Sequence, residues 1–290
     1  MASGTPTNRT NITLPAAVSE EILAKMQTES AVMRLARRIE LPGRGVAIPV
    51  ISADPEATWV GETSSKTVAN PTVGTKIMEA YKLAVIVPFS NEFRRDAAAL
   101  YDELVRRLPL ALATKFDQTV VGAVQAPGNN FDSFANAQTQ EIGTATYAGF
   151  VAADADISAH GGILNGIALA PQGRSAVLGA TDLQGRPLFV NSAAEGAVPM
   201  ILGATTVLGK GVYDDDNGVV GIAGDWTQAL YGTVEGVVVD YSSDATLVSG
   251  NTTINLFQQN MFAVRAEIEI GFRADVDCFN LLTVSTESES

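Results

Sequence analysis

The 290-residue chain carries 19 basic and 32 acidic side chains, a formal charge of −13 with its one His neutral, and charged residues make up 18 % of it. That balance argues against a protein that neutralises many phosphates, on nucleic acid or on a membrane surface. A charged share below the roughly 25 % of ordinary soluble domains points to surface intended for other chains, and the length suits two modest domains or one large one.

Residues 1–15 (MASGTPTNRTNITLP) are small and polar, hold no apolar run that could act as a signal peptide, and read as an extended arm. No uninterrupted stretch of about 18 apolar residues occurs, so a membrane helix is not expected and the chain reads as a soluble cytoplasmic product. Ser19 as a cap, Glu20 and Glu21 at the positive end of the helix dipole, and Ile22, Leu23 and Met26 on one face predict a helix. A second is predicted over 30–39, with Arg34, Arg37 and Arg38 towards its C-terminal end and Leu41-Pro42-Gly43 as its stop. The stretch 46–51 (VAIPVI) predicts a strand that Pro49 confines to an edge or an end.

The polar excursion 52–80 is too long for an ordinary hairpin turn and reads either as an extended functional loop or as an insert. Trp59 and Val60 with Ile77 and Met78 favour a two-stranded flap, which needs a surface to lie on. A strand is predicted over 81–87, then a helix start capped by Ser90. The strongest helical pattern covers 97–124, where Leu100, Leu104, Leu108, Leu112, Phe116 and Val120 share a face. It would span about 40 Å, with a kink at Pro109.

After a Gly, Asn and Ala-rich stretch at 126–144, the pattern predicts a helix over 147–159 ended by Gly161-Gly162, a buried strand at 167–170 and a helical turn at 175–178. Strands are expected at 187–190, 200–208, 234–241, 260–272 and 276–284, before a solvated tail. Charge is lopsided: residues 1–150 hold 14 basic and 15 acidic side chains, residues 151–290 hold 5 and 17. Two solvated faces would explain this, as would complementary ends of identical subunits meeting one another.

Chemistry-bearing motifs are sparse. Gly203 to Lys210 has the wrong spacing for a phosphate loop, and the nucleophile elbow is absent. Cys278 cannot form an internal disulfide and reads as a buried free thiol. A small hydrolase could be built only on His160, which reads more simply as a helix-end residue. Asp214-Asp215-Asp216-Asn217-Gly218 lacks the order of a calcium loop and reads as an acidic turn. No catalytic, cofactor or metal site is expected, and a polar arm plus an extended flap points towards assembly.

The order of these features resembles the major capsid proteins of tailed bacteriophages, with the Hong Kong 97-type fold. The resemblance rests on LPAAVSEEILAKMQTESAVMRLARRIELP, VAIPVI, TWVGETSSKTV, YKLAVIVPFSNEFRRDAAALYDELVRRLPLALATKFDQTVVG, GDWTQALYGTVEGVVVDYS and NLFQQNMFAVRAEIEIGFRADVDCFNLL, in that order. It implies an α+β fold with an N-terminal arm (1–45), an extended loop (52–80) on flanking strands 46–51 and 81–88, and a peripheral domain (89–144 and 227–274) built on a spine helix (97–124) and a long antiparallel sheet. An axial domain would take 145–226 and 275–286.

The function it implies is a virion shell of hexamers and pentamers around phage double-stranded DNA, bound without sequence preference. Expected partners are other copies of the chain, a separate scaffolding protein and a portal, with a decoration protein left open. Arg34, Arg37, Arg38, Trp59, Glu62, Lys66, Lys76, Arg94, Arg95, Asn251 and Asn255 are the expected contacts between subunits. One branch of the family joins such a Lys to an Asn through an isopeptide bond; Lys66 or Lys76 with Asn251 or Asn255 are available, but FQQNM does not place an Asn at the matching position. An encapsulin-like nanocompartment shell is the alternative on the same fold.

Overall fold

A computed structural model of the chain describes residues 16–43, 46–51, 73–92, 97–182, 184–189, 200–250 and 252–284. Helix α1 (Ala16–Glu29) starts ahead of the expected cap at Ser19 and buries Ile22 and Met26 in a cluster shared with Leu108, Leu112 and Phe116 of the spine helix. Ser30 then caps the short helix α2 (Ala31–Leu35), its hydroxyl accepting from Met33 N at 3.0 Å. The helix expected to reach residue 39 stops here: Ala36 is extended, with φ −75° and ψ 151°. Arg37 and Arg38 belong instead to strand β1 (Arg37–Glu40), which lies parallel to β10 (Ala229–Thr233), Arg37 opposite Leu230 and Arg38 opposite Tyr231. A pairing with a strand far along the chain outweighs local helix propensity.

Strands β2 (Val46–Ile51) and β3 (Val73–Met78) form an antiparallel hairpin, in register from Val46 opposite Met78 to Ile51 opposite Val73. Ile77 and Met78 therefore pair with Ala47 and Val46, while Trp59 and Val60 lie outside the described residues. Strand β4 (Tyr81–Ser90) runs through the residue expected to cap a helix, because it stays paired with β14 (Met261–Ala274) to Ser90 opposite Met261. The spine helix α3 (Ala97–Val121) keeps Pro109 inside it. It ends before residue 124 because Gly122 turns to φ +103°, a conformation that favours glycine, and packs so closely on Ala135 that a Cβ would come within 2.6 Å of it.

Two sheets flank this helix. In the five-stranded one, β4 covers one edge of β14, while β11 (Val238–Ser242) and then β10 follow along the other, with β1 outermost. The six-stranded sheet has the order β5 (Gln138–Glu141), β15 (Phe279–Thr283), β9 (Val219–Gly224), β6 (Gly166–Leu169), β8 (Ala204–Leu208) and β7 (Met200–Ile201). The single strand expected over 200–208 is a hairpin instead, turned by Leu202 and Gly203 at φ 50° and 82°. The strand expected from residue 187 is only a bridge between Thr181 and Pro187. Helices α4 (Thr146–Ala159) and α5 (Pro171–Gly179) cover this sheet, and β12 (Thr246–Ser249) with β13 (Thr252–Asn255) forms a second two-stranded hairpin.

The larger core is aromatic. Phe134 stacks on Phe279 at 4.5 Å between ring centroids, Trp226 meets Phe279 edge-on at 5.3 Å, and Phe116 meets Phe272 edge-on at 6.2 Å. Ala168, Val207, Ile222 and Leu281 of the six-stranded sheet belong to it. Their strand neighbours Ile167, Leu169, Ala223 and Leu282 point the other way, into a second core with Phe150 and Ile157.

Candidate assembly surfaces

The outer face of the five-stranded sheet is a ladder of charges. Lys82 Nζ lies 2.7 Å from Glu267 and 3.3 Å from Glu269, and Arg265 lies 2.5 Å from Asp240 and 3.6 Å from Glu267. Hydrogen bonds to Glu267 and Glu269 hold the Lys82 ammonium above its ordinary value, and the bond to Asp240 does the same for Arg265. Exposed Ile86 and Val238 sit in this face, directly opposite Arg265 and Glu267. The hairpin β12–β13 ends in a second kind of surface: Val248 is 73 % exposed and Phe257, in the turn that follows, 79 %. Large apolar side chains this open are what a partner covers.

Behind these surfaces lies a joint that ties the start of α2 to the long helix α3. Asp117 of α3 is fully buried and accepts hydrogen bonds from the Ser30 hydroxyl at 2.5 Å, Ala31 N at 2.9 Å and Val32 N at 3.4 Å. Burial pushes its carboxyl up to about 7, against the pull of these three donors. Gly209 and Gly211 close the joint from the other side, where added Cβ atoms would meet Ala31 at 2.5 Å and Asp117 at 2.6 Å. Asp117 thus ties α2 to α3, with the loop leaving β8 packed against both.

Arg34 is exposed in the last turn of α2. Arg37 and Arg38 are exposed on β1, and Arg38 reaches Thr233 Oγ1 at 3.5 Å. Lys76 is engaged within its own subunit, its Nζ donating to Ala274 O at 3.1 Å. Asn255 ends β13, and its Oδ1 accepts from Gln258 N at 3.0 Å. Trp59, Glu62, Lys66, Arg94, Arg95 and Asn251 lie outside the described residues. Sequence reasoning passed over Phe257, whose only signal is an aromatic in the polar run NLFQQN, and Asp117, whose partners are 85 to 87 residues away.

The residues weighed for chemistry are occupied otherwise. His160 follows the last turn of α4 with Nδ1 2.9 Å from Asp156 O, and Cys278 is a buried free thiol whose Sγ lies 3.8 Å from the His160 carbonyl, not its ring. Burial, then the charges of Asp275, Asp225 and Asp277, push that thiol up, away from the reactive thiolate. Asp214 closes the acidic turn on itself, accepting from Asp216 N at 3.1 Å and Asn217 Nδ2 at 2.7 Å.

A sequence profile described as the Phage capsid family matches residues 10–276. The chain is 28 % identical to "Probable major capsid protein gp17" of Mycobacterium phage L5, over 91 % of this chain and 87 % of that protein. It is 24 % identical to "Major capsid protein" of Staphylococcus phage 80alpha, over 86 % and 78 %. Among solved structures, chains from Gordonia phage Cozz and Mycobacterium phage Bobi both superpose with a TM-score of 0.71, at 22 % and 17 % identity. The first covers 89 % of this chain and 87 % of its own, the second 99 % and 96 %.

Proposed function

The chain belongs to the phage capsid family, and from that membership we propose that it closes as hexamers and pentamers into an icosahedral head around double-stranded DNA. It is a structural shell protein of the virion, assembling with its own copies, and not an enzyme. Its mixed α+β fold is of the Hong Kong 97 type.

The observation that carries the finer reading is the pair of hairpins. Among the described residues, β2 pairs only with β3 and β12 only with β13. Two-stranded ribbons are marginal alone in water, so both gain by lying on neighbouring subunits. The arm (1–45), the extended loop (52–80), the peripheral domain (89–144 and 227–274) and the axial domain (145–226 and 275–286) describe this division of labour. Arg34, Arg37 and Arg38 would meet the acidic second half of a neighbour, and Trp59, Glu62, Lys66, Arg94, Arg95, Asn251 and Asn255 would extend those contacts. Many weak contacts repeated around a closed shell sum to a stable particle. An acidic wall adheres little to DNA, which suits a container that must release its contents. A separate scaffolding protein and a portal complete the assembly.

Replacing residues 53–71 by a short Gly-Ser linker tests this, with electron microscopy and circular dichroism as readouts. The expected result is a folded subunit that forms no closed particles, beside shells from the unmodified chain. Normal, heat-stable shells from the shortened chain would overturn the role of the loop.

A further inference from the structure

The β2–β3 hairpin leaves the body of the subunit through residues 76–79, and that exit is fastened at several points on one face of the five-stranded sheet. Gly232 of β10 and Gly271 of β14 are directly paired, so two adjacent positions on this face present no side chain. Fully buried Met78 occupies the resulting notch. A Cβ added at Gly232 would come within 2.8 Å of Met78 Sδ, and one at Gly271 within 2.9 Å of Met78 Cγ and 2.4 Å of Glu79 O. Leu41, where the arm passes, fills the rest of the notch, 2.6 Å from the same point at Gly232.

Arg273 lies two residues along β14, on the same face. Its Nε donates to Ile77 O at 2.8 Å, Nη1 to Asp132 Oδ1 at 2.6 Å and Nη2 to Asn130 Oδ1 at 2.9 Å. Asp132 is itself fixed to the strand, accepting from Ala274 N at 3.1 Å and donating its own N–H to Phe272 O at 3.1 Å. Lys76 Nζ adds a bond to Ala274 O at 3.1 Å. The backbone is therefore held on both sides of Met78: Ile77 O by a guanidinium that is itself oriented by Asp132, and Glu79 O by close packing on Gly271. A planar fork with fixed donor directions transmits an angle in a way a flexible ammonium cannot.

Resting on the reading of this chain as a shell subunit, we propose that Arg273 is a positioning residue that, with the Gly232–Gly271 notch, sets the direction in which the hairpin leaves the subunit and thereby the diameter of the closed shell. A hairpin laid over a neighbour couples its exit angle to the angle between subunits. A small rotation at 76–79 is amplified along the strands, while the rest of the fold is untouched.

Cryo-electron microscopy of shells from the unmodified chain and from Arg273→Gln, Arg273→Lys, Gly271→Ala and Lys76→Met tests the proposal, with thermal unfolding of the same subunits as a control. Arg273→Gln and Gly271→Ala should shift or broaden the diameter distribution and displace the hairpin from its original direction. Arg273→Lys should restore part of the original distribution, and Lys76→Met should shift it least. Unchanged diameters and hairpin direction in folded Arg273→Gln and Gly271→Ala would overturn it. Should Arg273→Gln not fold, Gly271→Ala, which removes no hydrogen-bonding group, decides; if neither folds, unchanged shells from Arg273→Lys overturn the proposal. Absence of shells from the unmodified chain would instead sink the shell reading itself.

Discussion

In the six-stranded sheet, β9 (VVGIAG) and β6 (GIAL) are buried at every residue, whereas β4 of the five-stranded sheet exposes Lys82, Ala84 and Ile86 and half-buries the residues between them. The first sheet lies between two cores and reads as continuous apolar runs; the second rests one face on the spine helix and reads as alternation. The first is spent on holding the subunit together. The second leaves part of its other face exposed, around Lys82, Ile86 and Arg265, while towards Gly271 and Arg273 the same face is covered by Met78 and Leu41 at the foot of the β2–β3 hairpin. One sheet is thus closed on both faces and the other exposes part of one, although the two share one aromatic core.

The sharpest way to break that comparison is to place the same charge in each sheet. Ile222→Asp buries a carboxylate between the two cores and should cost about 4 kcal/mol or more, or prevent folding. Ile86→Asp, in the open face, should change subunit stability by no more than about 0.5 kcal/mol. Urea unfolding of dissociated subunits measures both, and equal losses would erase the distinction.

A smaller effect is expected at the Asp117 joint, where α2, α3 and the loop leaving β8 meet. Its carboxyl is raised to about 7 from 3.8, so between these values the folded chain keeps a proton that the unfolded chain has lost. Its contribution to stability is complete below the lower value and disappears as pH rises through the upper one. Melting temperature should therefore fall across this window, and Asp117→Asn should flatten that part of the profile. A profile unchanged by the substitution would show that the proton is held elsewhere.

The smallest effect belongs to the open face. Arg265→Ala and Asp240→Ala, combined in a double-mutant cycle, should show a coupling of about 0.2–1 kcal/mol that fades with added salt, since both side chains are close to half exposed. A coupling of several kcal/mol would mean that this face is part of the fold after all.

Much of the architecture was legible in the residues. The spacing from Leu100 to Val120 marked the long helix α3, and the apolar runs marked β2, β6 and part of β8; Ile77 and Met78 were expected to pair with Trp59 and Val60, yet they pair with Ala47 and Val46. Less of the candidate surface was. Lys76 reads as a surface lysine on a loop, yet it bonds Ala274, 198 residues away. Arg37 and Arg38 read as a helix end, yet they lie in a strand. Leu202 reads as one residue of a strand, yet it turns a hairpin.

Sequence by itself determined which faces must be buried, how charge divides between the two halves, and the ordered run of segments that resembles a capsid subunit. Periodicity reports a residue's burial because burial acts on each element's own pattern. Tertiary structure alone decided who covers whom: Ser30 on Asp117, Gly232 opposite Gly271 beneath Met78, Arg273 on Ile77. These are meetings of short, locally unremarkable segments, and their energy arises only when distant parts of the chain come together.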